Sequence, residues 1–371
     1  MDIWQRHKER EQIWRHLARG TSISLFGPRR LGKTYLMHLL EDDADAQGFR
    51  AIFANLQSCV SPQAACARLA EATQAKLGLS GDWLKLKSRV HDLLGGAPEG
   101  EELHSALLKA DWPALLNTLL EKLNNDARPT VLLIDELSVC ISSCLAGNPD
   151  SGRELLYLLR DMRSRYPQVR WFLTGSLGID RIAEQHELVG ALNDLHPFKL
   201  QALSRPQATA LTNQLCSERQ LAHPNDAVHA HLQQQLGWLS PHYITRLIDH
   251  IDETQPSEGR ITTEVIDRTC RQILDYPYNR LFSDWLDHIN KNYPDNARTC
   301  AMEILRITCR HADGETRDTL NAHATLHRMD DKLLGFTLEL LCNDGYLVKH
   351  DGRYRFMFGL LRAYWQRRDP S

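Results

Sequence analysis

The sequence predicts an α/β domain built on a parallel β-sheet, followed by mainly helical regions. Short apolar segments alternate with helix-like segments over the first 204 residues. Buried parallel strands joined by crossover helices have this pattern. Right-handed crossovers would place helices on both faces of the sheet, which gives three layers. The strand-like segments are Ser22–Phe26, Arg50–Asn55, Thr130–Ile134, Arg170–Thr174 and Phe198–Leu203.

The composition is that of an ordinary soluble globular protein. Hydrophobic residues make up 42% and charged residues 25% of the 371 residues. The formal net charge of −3 gives no overall attraction to nucleic acid or to an anionic membrane, so any such contact would be local. No apolar segment approaches the ~20 residues that cross a bilayer, and the charged N-terminus lacks a signal-peptide core. We therefore expect a cytoplasmic protein that has no membrane contact.

Nine cysteines are scattered along the chain. Their number is odd, none forms a C-x-x-C pair, and Cys140 with Cys144 lacks a second half-site. Structural zinc sites usually need paired ligands of that kind. The pattern favours buried free thiols in a reducing compartment.

Three regions follow from where the strand signals occur. Residues 1–204 carry all five of the strands above and form the predicted core, with a helical insertion at about 58–128. Gly95–Glu102 is the candidate mobile loop of that insertion. Residues 205–256 show helical periodicity throughout, and residues 257–371 form a third region that begins helical.

The end of the third region has a different pattern. Phe336–Gly345 reads as a helix, and two short strand-like segments flank the turn Asp351-Gly352. A helix followed by a small hairpin is typical of a winged helix, which binds DNA through a helix in the major groove. Lys349, Arg353 and Arg355 add a local basic bias. A structural or partner-docking role for this region remains the alternative.

A glycine-rich loop between a strand and a helix predicts phosphate binding. The pattern G-x-x-x-x-G-K-[ST] follows the first strand, and the loop's backbone N–H groups would surround the phosphates of a nucleoside triphosphate. The lysine would reach the β- and γ-phosphates, and the threonine hydroxyl would hold Mg²⁺. The candidate nucleotide contacts are Gly27, Pro28, Arg29, Arg30, Leu31, Gly32, Lys33, Thr34 and Tyr35.

Two carboxylates end the third strand, about a hundred residues after the loop. Asp135 would assist Mg²⁺ directly or through its other ligands, so Thr34 and Asp135 are the candidate metal residues. Glu136 lies where a general base could polarise the attacking water. The alternative is that Glu136 only caps the next helix.

Hydroxyl residues end the fourth strand. Thr174 and Ser176 would lie between the two motif strands, near the γ-phosphate, and could report whether that phosphate is present. The alternative is a simple turn after the strand.

An arginine beside the transferring phosphoryl group would also assist hydrolysis. Arg163 or Arg165 is the candidate for insertion into a neighbouring subunit, and solvated helix-end arginines are the alternative.

With these motifs in this order, the chain resembles P-loop ATPases of the AAA+/STAND group, in the archaeal-ATPase-like branch. The resemblance implies an ASCE-type parallel sheet, a helical lid over residues 205–256, a C-terminal winged helix, and ATP with Mg²⁺ as ligands. The segment Phe198–Ser204 resembles the family's strand that leads into the lid, and Gly237–Tyr243 resembles its Gly…Pro-Tyr segment. Pro241 would then approach the adenine.

Other parts of the chain match the family less closely. Arg246 resembles a lid arginine that touches the phosphates, with an ordinary surface arginine as the alternative. Relatives usually begin with a Gly-Arg-Glu segment, whereas this chain has Trp4–Glu11 there. No nuclease-like cluster of carboxylates and lysine stands out, so an effector would be a separate chain.

Three functions are consistent with these observations. The first is a slow ATPase switch whose nucleotide state controls assembly or a partner protein, as in signalling or prokaryotic defence. The second is a DNA-binding AAA+ regulator similar to origin-recognition or transposition ATPases. The third is a scaffold that keeps bound nucleotide without hydrolysing it. ATP or ADP, a protein partner, DNA and further copies of the chain are the corresponding candidate ligands.

Overall fold

The computed structural model of the protein describes residues 4–77, 111–175, 179–254, 260–323 and 329–368. The chain divides into two compact units. The sheet unit consists of Gln5–Gly27 and Lys33–Leu200, and the C-terminal unit consists of Met1–Trp4, Pro28–Gly32 and Gln201–Ser371. The predicted loop Gly95–Glu102 and the candidate Ser176 lie outside the described residues.

The sheet unit contains five parallel strands in the spatial order β2-β3-β4-β1-β5. Strand β4 therefore separates the strand before the glycine-rich loop from the strand that ends in carboxylates. The structure confirms the first four predicted strands to within a residue at either end. The strands are β1 Ile23–Phe26, β2 Arg50–Asn55, β3 Thr130–Asp135, β4 Val169–Gly175 and β5 His196–Pro197.

The prediction of the fifth strand at Phe198–Leu203 is wrong in position. The observed strand is His196–Pro197, and pairing with β1 ends with the hydrogen bond from Phe198 N to Ser24 O at 2.7 Å. Phe198, Leu200 and Ala202 alternate with the polar Lys199 and Gln201, which is also the pattern of a half-buried strand. However, the end of this segment bonds elsewhere, because Leu203 N donates to the carbonyl of Leu239 at 3.0 Å.

Helices pack on both faces of this sheet, which makes three layers. All six residues of β3 are buried, and successive side chains of a strand point to opposite faces. Leu132 and Ile134 join one apolar cluster, while Val131 and Leu133 point the other way. Each such buried aliphatic side chain contributes about 1.5–3 kcal/mol. The helices are α1 His7–Ala18, α2 Lys33–Asp43, α3 Pro62–Leu77, α4 Trp112–Asn124, α5 Leu137–Gly147, α6 Pro149–Arg165 and α7 Ile179–Gln185.

The C-terminal unit is mainly helical and ends in a small antiparallel sheet. The order of its three strands is β6-β8-β7. The strands are β6 Glu315–Thr316, β7 Leu347–His350 and β8 Arg353–Phe356. The helices are α8 Arg205–Glu218, α9 Asp226–Leu236, α10 Pro241–Thr254, α11 Thr263–Gln272, α12 Arg280–Asn292, α13 Asp295–Thr308, α14 Arg317–Ala322, α15 Asp331–Asn343 and α16 Gly359–Arg368.

The predicted helix and hairpin near the C-terminus are both present. Helix α15 covers most of the predicted Phe336–Gly345 and begins five residues earlier, where Asp330 accepts a capping hydrogen bond from Lys332 N at 3.1 Å. Strands β7 and β8 flank the predicted turn at Asp351-Gly352, and both turn residues have positive φ.

Buried polar groups join the helices of the C-terminal unit. The indole N–H of Trp285 on α12 donates to the hydroxyl of Tyr243 on α10 at 2.6 Å. The Tyr346 hydroxyl donates to the Trp285 carbonyl at 2.6 Å. Burial raises the pKa of the Tyr243 hydroxyl well above its usual value, so it stays protonated. Because an unpaired buried polar group is costly, these bonds favour one arrangement of α10 and α12.

The cysteines are free thiols, eight of them buried and Cys342 half-buried. Within the described residues, no cluster of three or more His, Cys, Asp or Glu side chains has the arrangement of a metal site. Nor does any helix in the described part of the chain combine the length and apolar character of a bilayer-spanning segment.

Candidate functional site

The glycine-rich loop leads directly into helix α2, as the sequence predicts. Helix α2 begins at Lys33, so its N-terminal N–H groups follow the loop. Gly32 has φ +89°, a conformation that glycine adopts without strain. The Lys33 ammonium is buried and donates to the carbonyl of Gly27 at 2.8 Å. The lysine therefore folds back over its own loop, with its charge beside the loop backbone.

Asp135 accepts hydrogen bonds from two other candidate residues. Its Oδ2 accepts from the Thr34 hydroxyl at 2.6 Å, and its Oδ1 accepts from the Thr174 hydroxyl at 2.5 Å and from Glu136 N at 3.0 Å. The carboxylate is 1% exposed. Its oxygens are thus largely occupied, so Asp135 is arranged to orient the Thr34 hydroxyl rather than to face solvent.

The strand order brings these residues together. Parallel pairing places Leu25 opposite Thr174 and Ile134 opposite Leu173. The loop, Asp135 and Thr174 consequently occupy the carboxyl ends of three adjacent strands, where ligands bind in open α/β sheets. Thr174 is fully buried, and its hydroxyl donates to Asp135.

Glu136 has an unusual backbone conformation. It lies in the left-handed region with φ +56°, immediately before α5. A non-glycine residue held there is strained by about 1–3 kcal/mol, and such residues concentrate at functional sites. Glu136 occupies the N-cap position of α5, as in the alternative interpretation, but within the described residues its side chain makes no capping hydrogen bond to that helix.

A close approach of β4 to α5 supports the arrangement around Asp135. A Cβ built on Gly175 would lie 2.1 Å from Ser138 Oγ and 3.0 Å from Phe26 Cδ1. Only glycine fits between these neighbours, so β4 ends against the first turn of α5. Glu136 precedes that turn and Thr174 precedes Gly175.

The loop tip, Pro28–Gly32, belongs to the C-terminal unit and has several partners there. Arg30 has φ +63°, and its carbonyl accepts a short hydrogen bond from the Ser240 hydroxyl. The Arg30 guanidinium contacts His242 Nε2 and donates to Asp284 Oδ2, the latter at 2.5 Å. Pro28 faces Gly345, where a Cβ would lie 2.7 Å from the proline Cβ.

Two of the candidate lid residues differ in their contacts. Pro241 begins α10, and its Cγ lies 3.7 Å from the position of a Cβ on Gly32. Arg246 is 58% exposed and pairs with Asp249 at 3.8 Å. Arg246 is therefore an exposed surface arginine, as in the alternative interpretation. Pro241, in contrast, lies beside the loop tip. Tyr35, on α2, is 41% exposed.

Arg163 is not placed to enter a neighbouring subunit, contrary to the expectation for it. Its guanidinium is buried and donates to Asp194 at 2.6 and 2.8 Å and to the carbonyl of Ala191 at 2.7 Å. Although burial opposes ionisation, these bonds lower the pKa of Asp194. Arg165 is exposed, but it pairs with Asp161 on its own helix and with Asn117.

These residues fit a triphosphate with Mg²⁺ in three respects. Loop amides and a helix N-terminus suit an anion, and Lys33 adds a positive charge. The Thr34 hydroxyl, held by Asp135, is an oxygen donor of the kind that Mg²⁺ prefers. Glu136, whose backbone N–H bonds to Asp135, carries a further carboxylate.

Comparison with protein families assigns the sheet unit. Residues 16–183, from α1 to α7, match the AAA domain family. Over these residues the chain is similar to P-loop ATPases of the AAA+ group. The AAA domain match contains the glycine-rich loop, Asp135, Glu136 and Thr174. No curated protein matches the chain by sequence.

Solved structures share the fold of this chain over nearly its whole length. The Walker-type ATPase PABY2304 of Pyrococcus abyssi has a TM-score of 0.67 at 15% identity, covering 98% of this chain and 96% of that one. The ORC2 protein of Aeropyrum pernix, in ADPNP and ADP complexes, has a TM-score of 0.58 at 12% identity, covering 100% and 96%. At these identities the similarity shows the fold.

Sequence reasoning missed the partners of Arg30. Asp284 follows no motif and lies 254 residues further along the chain. His242 belongs to the segment Gly237–Tyr243, but the sequence assigned no role to the histidine itself. No periodicity or spacing could have paired these residues, because their contact depends on how α10 and α12 pack.

Proposed function

We propose that the protein binds ATP with Mg²⁺, hydrolyses it slowly, and acts as a nucleotide-controlled switch on assembly or on a partner protein. One observation carries the hydrolytic part. Asp135 joins the Thr34 and Thr174 hydroxyls at the carboxyl ends of neighbouring strands, and the strained Glu136 follows it directly. A site that only stored nucleotide would not need a carboxylate in so unfavourable a conformation.

Each residue has a defined role in this proposal. Loop amides and Lys33 hold the phosphates, Thr34 binds Mg²⁺, and Asp135 keeps the Thr34 hydroxyl oriented. Mg²⁺ would neutralise charge that develops on the phosphate oxygens. Glu136 would take a proton from the attacking water onto its carboxylate. Thr174, through Asp135, would couple the end of β4 to the metal ligands.

The regions beyond the core would supply the switch. We assign residues 1–204 to the ATPase core, 205–256 to a helical lid, and 257–371 to a linker with a winged helix. Support for the winged helix is the order α13, β6, α14, α15, β7, β8 with a three-stranded sheet. The Aeropyrum pernix ORC2 protein, similar in fold, has been solved with ADPNP and ADP.

Nucleotide binding tests the proposal first. A ligand at 100 times its Kd stabilises the folded state by about 2.7 kcal/mol, so ATP with Mg²⁺ should raise the Tm of the parent protein. Lys33→Ala should lose this shift, because the charge beside the loop backbone is gone. Titration with a fluorescent ATP analogue measures the affinities of the parent and of Lys33→Ala. Lys76→Ala, a change at an exposed lysine of α3, serves as the matched control. A parent protein without any purine triphosphate affinity would refute the proposal.

DNA binding is the second candidate function, favoured by the helix and hairpin order and by the exposed Arg355 on β8. The exposed face of α15 argues against it. Asp331, Lys332, Glu339 and Asn343 form that face, and this face carries more negative than positive charge. A recognition helix in the major groove would instead meet phosphates and base edges with basic and amide groups.

We therefore expect duplex DNA to bind no more tightly than the usual non-specific range, about 10⁻⁴–10⁻⁶ M at physiological salt. Fluorescence anisotropy across a salt series measures this, with Arg355→Ala as the variant and Arg298→Ala, on α13, as the control. A sub-micromolar affinity that Arg355→Ala weakens, together with a shallower salt dependence, would place DNA binding ahead of the partner switch.

A further inference from the structure

The loop tip is held by side chains from two helices of its own unit. The Arg30 guanidinium reaches His242 on α10 and Asp284 on α12. Arg29 Nη1 also approaches the Asp284 carbonyl at 3.5 Å. Ser240, just before α10, holds the Arg30 carbonyl. Two helices far along the sequence thus converge on one residue of the phosphate-binding motif.

The backbone conformation of Arg30 indicates that the contacts from α10, α12 and the residue before α10 help to hold the loop. Its φ of +63° lies in the left-handed region, which L residues other than Asn and Asp rarely occupy. Nothing in the local sequence favours that conformation at an arginine between Arg29 and Leu31. The contacts with Ser240, His242 and Asp284 are the observed interactions that oppose its relaxation.

The side chains that meet at Arg30 differ in charge and in exposure. Burial, and then the charges of Arg30 and Arg246, lower the pKa of His242 to about 3, so the imidazole is neutral and its Nε2 can accept a hydrogen bond from Arg30. The Asp284 side chain is 56% exposed, whereas that of Arg30 is 15% exposed. An ion pair with one solvated partner is weak and can be displaced.

We propose that Asp284 and His242 are positioning residues that latch Arg30 to α10 and α12, and that a bound nucleotide competes with Asp284 for the guanidinium. This inference rests on the proposed function, because it needs a nucleotide in the loop. Guanidinium groups bind phosphate in the same two-pronged manner as carboxylate. Phosphates held by the loop would therefore draw Arg30 from Asp284. The N-terminal half of α12 would then lose a contact, which reports the nucleotide state to the C-terminal unit.

Asp284→Asn tests the latch, because it removes the charge and keeps the shape. Asp287→Asn is the matched control: it makes the same change on the same helix, where Asp287 pairs with Lys291 at 4.0 Å. We expect Asp284→Asn to tighten the affinity for a fluorescent ADP analogue by about 2–5-fold, since an exposed ion pair no longer competes. Asp287→Asn should match the parent.

Hydrogen exchange of α12 gives a readout independent of turnover. In the parent, adding ADP should speed exchange in the first turns of Arg280–Asn292. In Asp284→Asn, exchange there should be fast already and should not change with ADP. In an Arg30→Ala background, Asp284→Asn should have no further effect on either measurement.

The outcomes separate this inference from the proposal on which it rests. A parent protein that binds no nucleotide refutes both. A parent that binds normally, while Asp284→Asn and Asp287→Asn agree in affinity and in exchange, refutes the latch alone. An effect of Asp284→Asn that persists in the Arg30→Ala background also refutes it, because the carboxylate would then act through another group.

Discussion

Replacing Glu136 with Gln is expected to slow ATP hydrolysis by roughly 10²-fold or more, because general-base catalysis typically contributes 10²–10⁴-fold. The amide keeps the size and the hydrogen-bonding reach of the side chain but cannot take a proton from water. Nucleotide affinity should change little, since Lys33, Thr34 and the loop amides remain. Phosphate release under saturating ATP and Mg²⁺ measures the first quantity, and a nucleotide titration measures the second.

A second substitution at the same position separates catalysis from folding. Glu136→Gly should also lose hydrolysis, yet it should stabilise the protein by about 1 kcal/mol, because glycine tolerates φ +56°. Glu154→Gln, at an exposed site on α6, is the surface control and should leave both rate and stability unchanged. Equal turnover by Glu136→Gln and the parent would show that Glu136 is not the base.

Gly175→Ala should destabilise the fold by about 1–3 kcal/mol, the usual cost of forcing an extra methyl group into a packed site. The added Cβ would lie 2.1 Å from Ser138 Oγ, 2.9 Å from Ser138 Cβ and 3.0 Å from Phe26 Cδ1. Either β4 or the first turn of α5 must shift, and that shift would also disturb the bond between Thr174 and Asp135. Urea unfolding with and without ATP measures both effects.

Helix α5, whose first turn packs against Gly175, offers a control for the prediction on Gly175→Ala. Gly147 lies at the end of α5 and has no atom of the described residues within 4 Å of a built Cβ, so Gly147→Ala should be tolerated. Adding Ser138→Ala to Gly175→Ala removes the closest atom and should recover part of the lost stability. A Gly175→Ala variant as stable as the parent would mean that β4 and α5 are not packed as described.

Much of the fold could be predicted because its signals are local. Three strands, β2 to β4, are recognisable as short apolar segments, since strands buried on both faces need apolar residues throughout. The hairpin around Asp351-Gly352 follows from turn chemistry. The predicted position of the fifth strand was wrong because tertiary contacts decide which residues pair with β1. The first residues of Phe198–Leu203 have a suitable alternation, but pairing with β1 stops at Ser24, and Leu203 N bonds to the Leu239 carbonyl instead.

The candidate site was predictable in its members and not in its hydrogen bonds. The glycine-rich motif indicated Lys33 and Thr34 as candidates, and the ends of two apolar strands indicated Asp135 and Thr174. These patterns did not show that Thr174 donates to Asp135, or that Arg163 is buried against Asp194. Side-chain orientation decides both points, and orientation depends on which helix covers each strand end.

By itself, the sequence determined that a glycine-rich loop enters a helix, that a buried strand ends in two carboxylates, and that helical regions follow. These are properties of contiguous residues, because glycine conformation, apolar periodicity and helix starts act over a few positions. Only the tertiary structure decided that Thr34 bonds to Asp135 across 101 positions and Arg30 to Asp284 across 254. Such contacts depend on strand order and helix packing, which arise from burying the whole core rather than from any one segment.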